Sequence, residues 1–213
     1  LRNEGPLSDE VLVHVFREIM SACLAQQEPL KIGYLGPEGT FSQQAVLKHF
    51  GRSAHGLPLG SIEEVFQEVE AGNADFGVVP VENSGQGTIQ VTLDMFLTSA
   101  LKICGEVELM VHQYLLSRSG RLEDIERIYA HPQAFAQTAG WLRTNLPRAE
   151  KVPVSSNAEG ARRARGADDS AAIAGESAAH VYGLKKVIMR PIQDDKDNTT
   201  RFLVIGRRIF PPS

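Results

Sequence analysis

The segment Asn198-Thr199-Thr200-Arg201-Phe202 sets hydroxyls, a guanidinium and an aromatic ring at the mouth of the apolar run Leu203-Val204-Ile205. An arginine offers a planar fork of donors that matches a carboxylate. A hydroxyl beside it can reach a leaving oxygen. Together these residue types suit the handling of a small organic anion. A strand end needs only a turn residue or two, so this density of donors asks for an explanation.

Further polar turns repeat the theme. Gly36-Pro37-Glu38-Gly39-Thr40-Phe41-Ser42 combines glycines, which let the backbone approach a ligand, with the hydroxyls of Thr40 and Ser42. It lacks the Gly-Lys-Ser/Thr of a P-loop and the spacing of a dinucleotide fingerprint, which excludes a nucleotide site of either type. A simple Thr or Ser helix cap accounts for it as well. Glu82-Asn83-Ser84-Gly85-Gln86-Gly87-Thr88 carries more donors than a plain turn requires, and Glu82 is either an acid or a cap. In His131-Pro132-Gln133, proline suits the first position of a helix and leaves His131 as the cap, with Gln133 and Gln137 on one face. Ser155-Ser156-Asn157 ends in a capping box between Ser156 and Glu159.

These turns fall between short strands and helices. The spacing predicts helices at 9–26, 41–50, 62–71, 89–97, 132–145, 158–165 and 176–182. Strands are expected at 31–35, 57–59, 76–81, 125–130, 151–154, 171–174, 186–192 and 201–206, with 102–116 extended between two lobes. The alternation argues for an α/β fold with mainly parallel pairing. In such sheets ligands bind beyond the carboxyl ends of the strands, where helix starts offer unpaired N–H groups to an anion.

Composition is that of an ordinary globular chain: 213 residues, 42% hydrophobic, 23% charged, net charge −4. A mildly acidic chain has no general attraction to nucleic acid or anionic membrane, so local devices must hold any anion. No apolar run reaches the roughly 20 residues of a spanning helix. Nothing at the N-terminus has the order of a secretion signal, and Cys23 and Cys104 read as two buried free thiols, which suggests the cytoplasm. His112, His131 and His180 lie on separate elements, and Asp194-Asp195-Lys196-Asp197 reads as a solvated charge run, so no metal is expected. Asn198-Thr199-Thr200 matches a glycosylation acceptor, which is chance in a chain that is not exported.

In this order the turns resemble prephenate dehydratase. The matching pieces are Gly36-Pro37-Glu38-Gly39-Thr40-Phe41-Ser42, Val79-Pro80-Val81-Glu82-Asn83-Ser84, Gly105-Glu106, His131-Pro132-Gln133, Gly175-Glu176 and Thr200-Arg201-Phe202. The N-terminal helix, with Ile19-Met20-Ser21-Ala22-Cys23-Leu24, is similar to the last helix of a chorismate mutase domain, as in bifunctional members. The resemblance implies a two-lobed α/β fold like type II periplasmic binding proteins, with a cleft between the lobes. Lobe one is expected at 31–103 and 191–209, lobe two at 105–190, and a mutase remnant at 1–30. It implies conversion of prephenate to phenylpyruvate in phenylalanine biosynthesis, without a cofactor, by a cytoplasmic homodimer. The chain stops before the domain that binds phenylalanine in relatives, so that effector is expected to act only on a longer protein. Thr200 is implied as the donor to the departing oxygen. Arg201, Phe202, Asn83, Ser84, Gly85, Thr40, Ser42, Gln137, His131, Ser155 and Ser156 are implied around the substrate. Many relatives carry Ser where this chain has Ala130, so a hydroxyl there is not required. A small-anion sensor of the same fold and an arogenate dehydratase are the competing readings.

Overall fold

The computed structural model describes residues 6, 8–25, 29–195 and 197–207. Residues 1–5, 7, 26–28, 196 and 208–209, which the expectations above include, lie outside them. Two sheets organise the chain. The first contains β1 (Lys31–Leu35), β2 (His55–Leu59), β3 (Phe76–Asn83), β4 (Gly87–Thr88), β5 (Lys102–Met110) and β11 (Thr199–Gly206). The second contains β6 (Tyr114–Ser117), β7 (Arg127–Ala130), β8 (Glu150–Pro153), β9 (Ser170–Ala174) and β10 (Lys185–Lys186). Their orders are β2-β1-β3-β11-β5, with β4 on β3, and β10-β6-β9-β7-β8.

Helices cover both faces of both sheets. The first is flanked by α2 (Phe41–Phe50) on one face and by α3 (Ile62–Ala71) and α4 (Gln90–Thr98) on the other. The second is flanked by α5 (Pro132–Gln137) and α6 (Ala139–Asn145), and opposite them by α7 (Asn157–Ala164) and α8 (Glu176–Tyr182). This explains the unbroken apolar runs in β3 and β9, where neighbours such as Val78 and Val79 are both fully buried. Local chemistry starts the helices: Thr40, Ser61 and Ser156 each accept a backbone N–H from three residues ahead. Gly72, at φ +84°, closes α3 in the left-handed conformation that suits glycine.

Several expectations need correction. Pairing is mixed rather than mainly parallel: β1 runs parallel to β2 and β3, but β11 runs antiparallel to β3 and β5. Because β5 pairs with β11 along its length, the first lobe extends to Met110, and the chain crosses at Val111–Gln113 rather than at Ile103 to Gly105. The expected strand at 186–192 reduces to Lys185–Lys186, the residues in register with β6; Val187 N adds one bond to Leu115 O at 2.9 Å before the chain leaves the sheet. The expected helix 132–145 is broken at Thr138, whose hydroxyl donates to Ala134 O at 2.7 Å and whose φ of −120° leaves the helical range. Asp194 then starts α6 by accepting from Gly140 N and Trp141 N.

The N-terminal helix α1 (Asp9–Ala25) is capped by Ser8, whose Oγ accepts from Val11 N. It meets the body by its polar edge: Arg17 donates to Lys48 O at 2.6 Å, at the C-terminal end of α2. Leu12, Val15, Phe16, Ile19, Met20, Cys23 and Leu24 form an apolar stripe in the sequence, expected to pack on the body or on a second copy; on the body its described residues do not pack. Phe16 is 61% exposed and Ile19 53%, with Val15 and Met20 exposed beside them. The two cysteines expected to be buried are not: Cys23 is exposed on this unpacked helix and Cys104 is half-buried in β5.

Candidate active site

The carboxyl ends of β1, β3, β7, β8 and β9, with the start of β11, face one another across a cavity of about 330 Å³. β11 runs antiparallel to β3, so its first residues meet the last of β3, and Thr200 pairs with Asn83. Both are buried, at 8% and 7% exposure. Asn83 Oδ1 accepts from Gly85 N at 3.0 Å and Gln86 N at 3.2 Å, which fixes the orientation of its amide. Nδ2 therefore donates, to Thr200 Oγ1 at 2.7 Å and to Asn198 Oδ1 at 2.9 Å. A hydroxyl whose oxygen accepts from an amide is polarised, and its own proton is left to donate elsewhere. Here that proton belongs to a wall of the cavity.

The second lobe supplies the opposite wall. His131 caps α5, its Nδ1 accepting from Gln133 N at 3.3 Å, so in the neutral ring the proton sits on Nε2. Ser156 caps α7, and Ser155 precedes it at the cavity. Gln137 lies one turn into α5 and lines the same space. The starts of α2, α4, α5, α7 and α8 all open onto it, through Thr40, Ile89, His131, Ser156 and Gly175. Among the described residues that line it there is no Lys, Arg, Asp or Glu. An anion there is met by N–H groups, hydroxyls, amides and the positive ends of helix dipoles, not by a cationic side chain.

The lobes also touch at the rim. Gln44 Nε2 donates to Ser177 Oγ at 2.9 Å, Ser177 Oγ donates to Gly39 O at 3.1 Å, and Tyr182 Oη donates to Glu38 O at 2.9 Å. Burial, with the nearby Glu38 charge, pushes the Tyr182 phenol above its ordinary pKa, which keeps it a neutral donor. Gly39 sits at φ +87°, and an added Cβ would lie 3.0 Å from the Tyr182 ring. The close approach of the lobes needs glycine at this point.

Of the residues implied from sequence, Thr200, Phe202, Asn83, Thr40, Ser42, Gln137, His131, Ser155 and Ser156 line the cavity. Arg201, Ser84 and Gly85 do not. Neighbours along a strand face opposite ways, so Arg201 turns outward. It is 45% exposed and faces Glu82 across the ladder, 3.5 Å away. Glu82 leaves the cavity by the same geometry. Ser84 instead ties the turn to the returning chain, accepting from Thr199 N at 2.9 Å, and Gly85 contributes only its N–H to Asn83. Sequence reasoning missed Gln113 and Asn198 as cavity residues, and Gln86 and Asn157 as more than turn and cap. Gln113 lay inside a stretch read only as extended, with no local signal. Asn198 heads the segment singled out first, which was a usable one.

The model of the family described as prephenate dehydratase matches residues 32–209. A bifunctional chorismate mutase/prephenate dehydratase of Pseudomonas aeruginosa is 51% identical over 99% of this chain and 58% of that protein. The chain thus spans a little over half of that relative. More distant is arogenate dehydratase 5 of Arabidopsis thaliana, 39% identical over 84% of this chain and 42% of that protein. A crystal structure described as prephenate dehydratase in complex with L-Phe, from Arthrobacter aurescens, superposes with a TM-score of 0.77. It is 34% identical and covers 86% of this chain and 62% of its own.

Proposed function

The chain belongs to the prephenate dehydratase family, and on that premise we propose that it converts prephenate to phenylpyruvate, with Thr200 assisting departure of the ring hydroxyl. The observation that carries this reading is the Asn83 to Thr200 hydrogen bond, which leaves the Thr200 proton free to donate at the cavity wall. In the reaction the bond to the ring carboxylate breaks and releases carbon dioxide. Its electron pair enters the ring, and the ring C–O bond breaks on aromatisation. The hydroxyl leaves as water with one proton taken up per turnover. The ring's gain in stability drives the collapse. The protein's task is to hold a dianion and stabilise charge on one departing oxygen, which calls for placed donors rather than a redox group.

The neutral, donor-rich lining supports prephenate over arogenate. Arogenate carries an ammonium in place of the keto oxygen, and the described lining has no carboxylate to pair with it. The wider protein is part of the same proposal: α1 as the end of a mutase domain, a homodimer, a cytoplasmic setting, and phenylalanine as effector of a longer form. Among the described residues no helix is long and apolar enough to cross a membrane. The test is to mix the purified protein with prephenate or arogenate and follow phenylpyruvate and phenylalanine. Faster turnover of prephenate supports the assignment. Equal or faster turnover of arogenate overturns the substrate choice, and binding of either without turnover favours a sensor.

A further inference from the structure

The two crossings between the lobes are bonded to each other. Val111 N donates to Asn198 O at 2.7 Å and Ile192 N to Gln113 O at 2.8 Å. Gln193 reinforces the pair, its Oε1 accepting from Gln113 N at 2.9 Å and its Nε2 donating to Val111 O at 3.3 Å. From this ribbon the side chain of Gln113, only 3% exposed, enters the cavity between α5 and α7. It is held on both sides by other amides.

The direction of these bonds follows from one unambiguous donor. His131 N is a backbone N–H, and it donates to Asn157 Oδ1 at 2.9 Å. Asn157 must then turn Nδ2 the other way, where it donates to Gln113 Oε1 at 3.4 Å. Gln113 in turn presents Nε2, which donates to Gln137 Oε1 at 3.4 Å. With its oxygen so occupied, Gln137 is left to show its NH₂ to the cavity. The two longer contacts contribute through orientation more than through strength.

We propose that Gln113 is a positioning residue that relays the polarity of His131 N through Asn157 to Gln137, so that Gln137 offers donors rather than a carbonyl to the anionic substrate. Reversal of Gln137 would place a carbonyl dipole against a carboxylate. The inference rests on the dehydratase reading, because it needs an anion in this cavity.

The test is a double-mutant cycle on kcat/KM with prephenate, with thermal unfolding recorded for each protein. Gln113→Met keeps length and volume without hydrogen bonds, and should lower kcat/KM by about tenfold through KM more than kcat. Gln137→Met should cost at least as much. The double variant should be no worse than Gln137→Met alone, since the relay acts only through Gln137. Gln113→Glu, which accepts but does not donate, should be worse than Gln113→Met. Additive losses, or full activity of Gln113→Met, would overturn the proposal. Should Gln113→Met fail to fold, Asn157→Asp enters the cycle with Gln137→Met, because it forces the same reversal from the far end. Additivity there is equally fatal. An inactive wild type would overturn the dehydratase reading itself, a result distinct from an active wild type with additive variants.

Discussion

At the scale of single residues, the account depends on which atoms of Asn83 and Thr200 donate. Two backbone N–H groups hold the Asn83 carbonyl, so only its NH₂ can face Thr200. Asn83→Asp is nearly isosteric but has no NH₂ to give. Thr200 would then spend its proton on the new carboxylate, and kcat should fall by roughly 10²-fold, as for loss of a positioned donor. A stopped assay with prephenate measures it, and a variant within a few-fold of wild type would refute the assigned polarity. Arg201 gives the opposite expectation. Its partner Glu82 is 51% exposed, and such surface pairs contribute about 0–1 kcal/mol. Arg201→Lys should leave KM nearly unchanged, and a large rise would bring the guanidinium back to the substrate. Thr200 was legible in the sequence because the residues around it match the family's turns. Arg201 was misplaced although strand alternation, which separates Thr199 from Thr200, separates Arg201 from Thr200 by the same rule.

At the scale of elements, the cavity is assembled from helix starts, and these were the most legible part of the chain. The bounds of α2, α3 and α8 follow directly from Thr40, Ser61 with Gly72, and Gly183. The break at Thr138 was not legible, because one Thr costs a helix only a fraction of its stability without ending it, and the decisive partner, Asp194, is distant in sequence. The strand expected at 186–192 came out short for a similar reason: pattern can propose a strand, but only a neighbour completes one, and past Val187 there is none. α7 also carries a measurable pH signature. Arg162 and Arg163 both bond Glu159 and hold its carboxyl down at about 2, below its ordinary value of 4.5. A depressed folded pKa adds stability above the unfolded value and loses it as pH falls through the folded one. Glu159→Gln should therefore lower the melting temperature at pH 7, and the gap to wild type should close between about pH 4.5 and 2. A gap independent of pH would show that packing, not charge, is lost.

At the scale of the molecule, function requires two sheets to hold one cavity between them, and the rim contacts set their approach. Gly175 lies where α8 meets α2: an added Cβ would stand 2.7 Å from Gln44 Nε2 and 3.0 Å from the Phe41 ring. Its φ of −70° is ordinary, so a substitution there acts by volume rather than backbone strain. Gly175→Val should wedge the lobes and raise KM by about tenfold with the folded signal retained. Unchanged KM would mean that this rim contact does not govern the cavity. The two-lobed plan was legible from the extended stretch 102–116, the return strand at 201–206 and the family resemblance, but the crossing point was not. β5 joins the first sheet through a partner, β11, that lies some hundred residues later. The exposed stripe on α1 was likewise visible as a pattern, while what it faces is not encoded in the helix itself.

The most direct test of the central claim is kcat for Thr200→Ala with prephenate, set beside Thr199→Ala. Thr200→Ala removes one hydroxyl from a buried position and leaves Asn83 its other acceptors, Asn198 Oδ1 and Thr199 O. The account predicts a fall in kcat of roughly 10²-fold or more with KM little changed, while Thr199→Ala stays close to wild type. Undiminished turnover by Thr200→Ala, or an equal loss in Thr199→Ala, would contradict it.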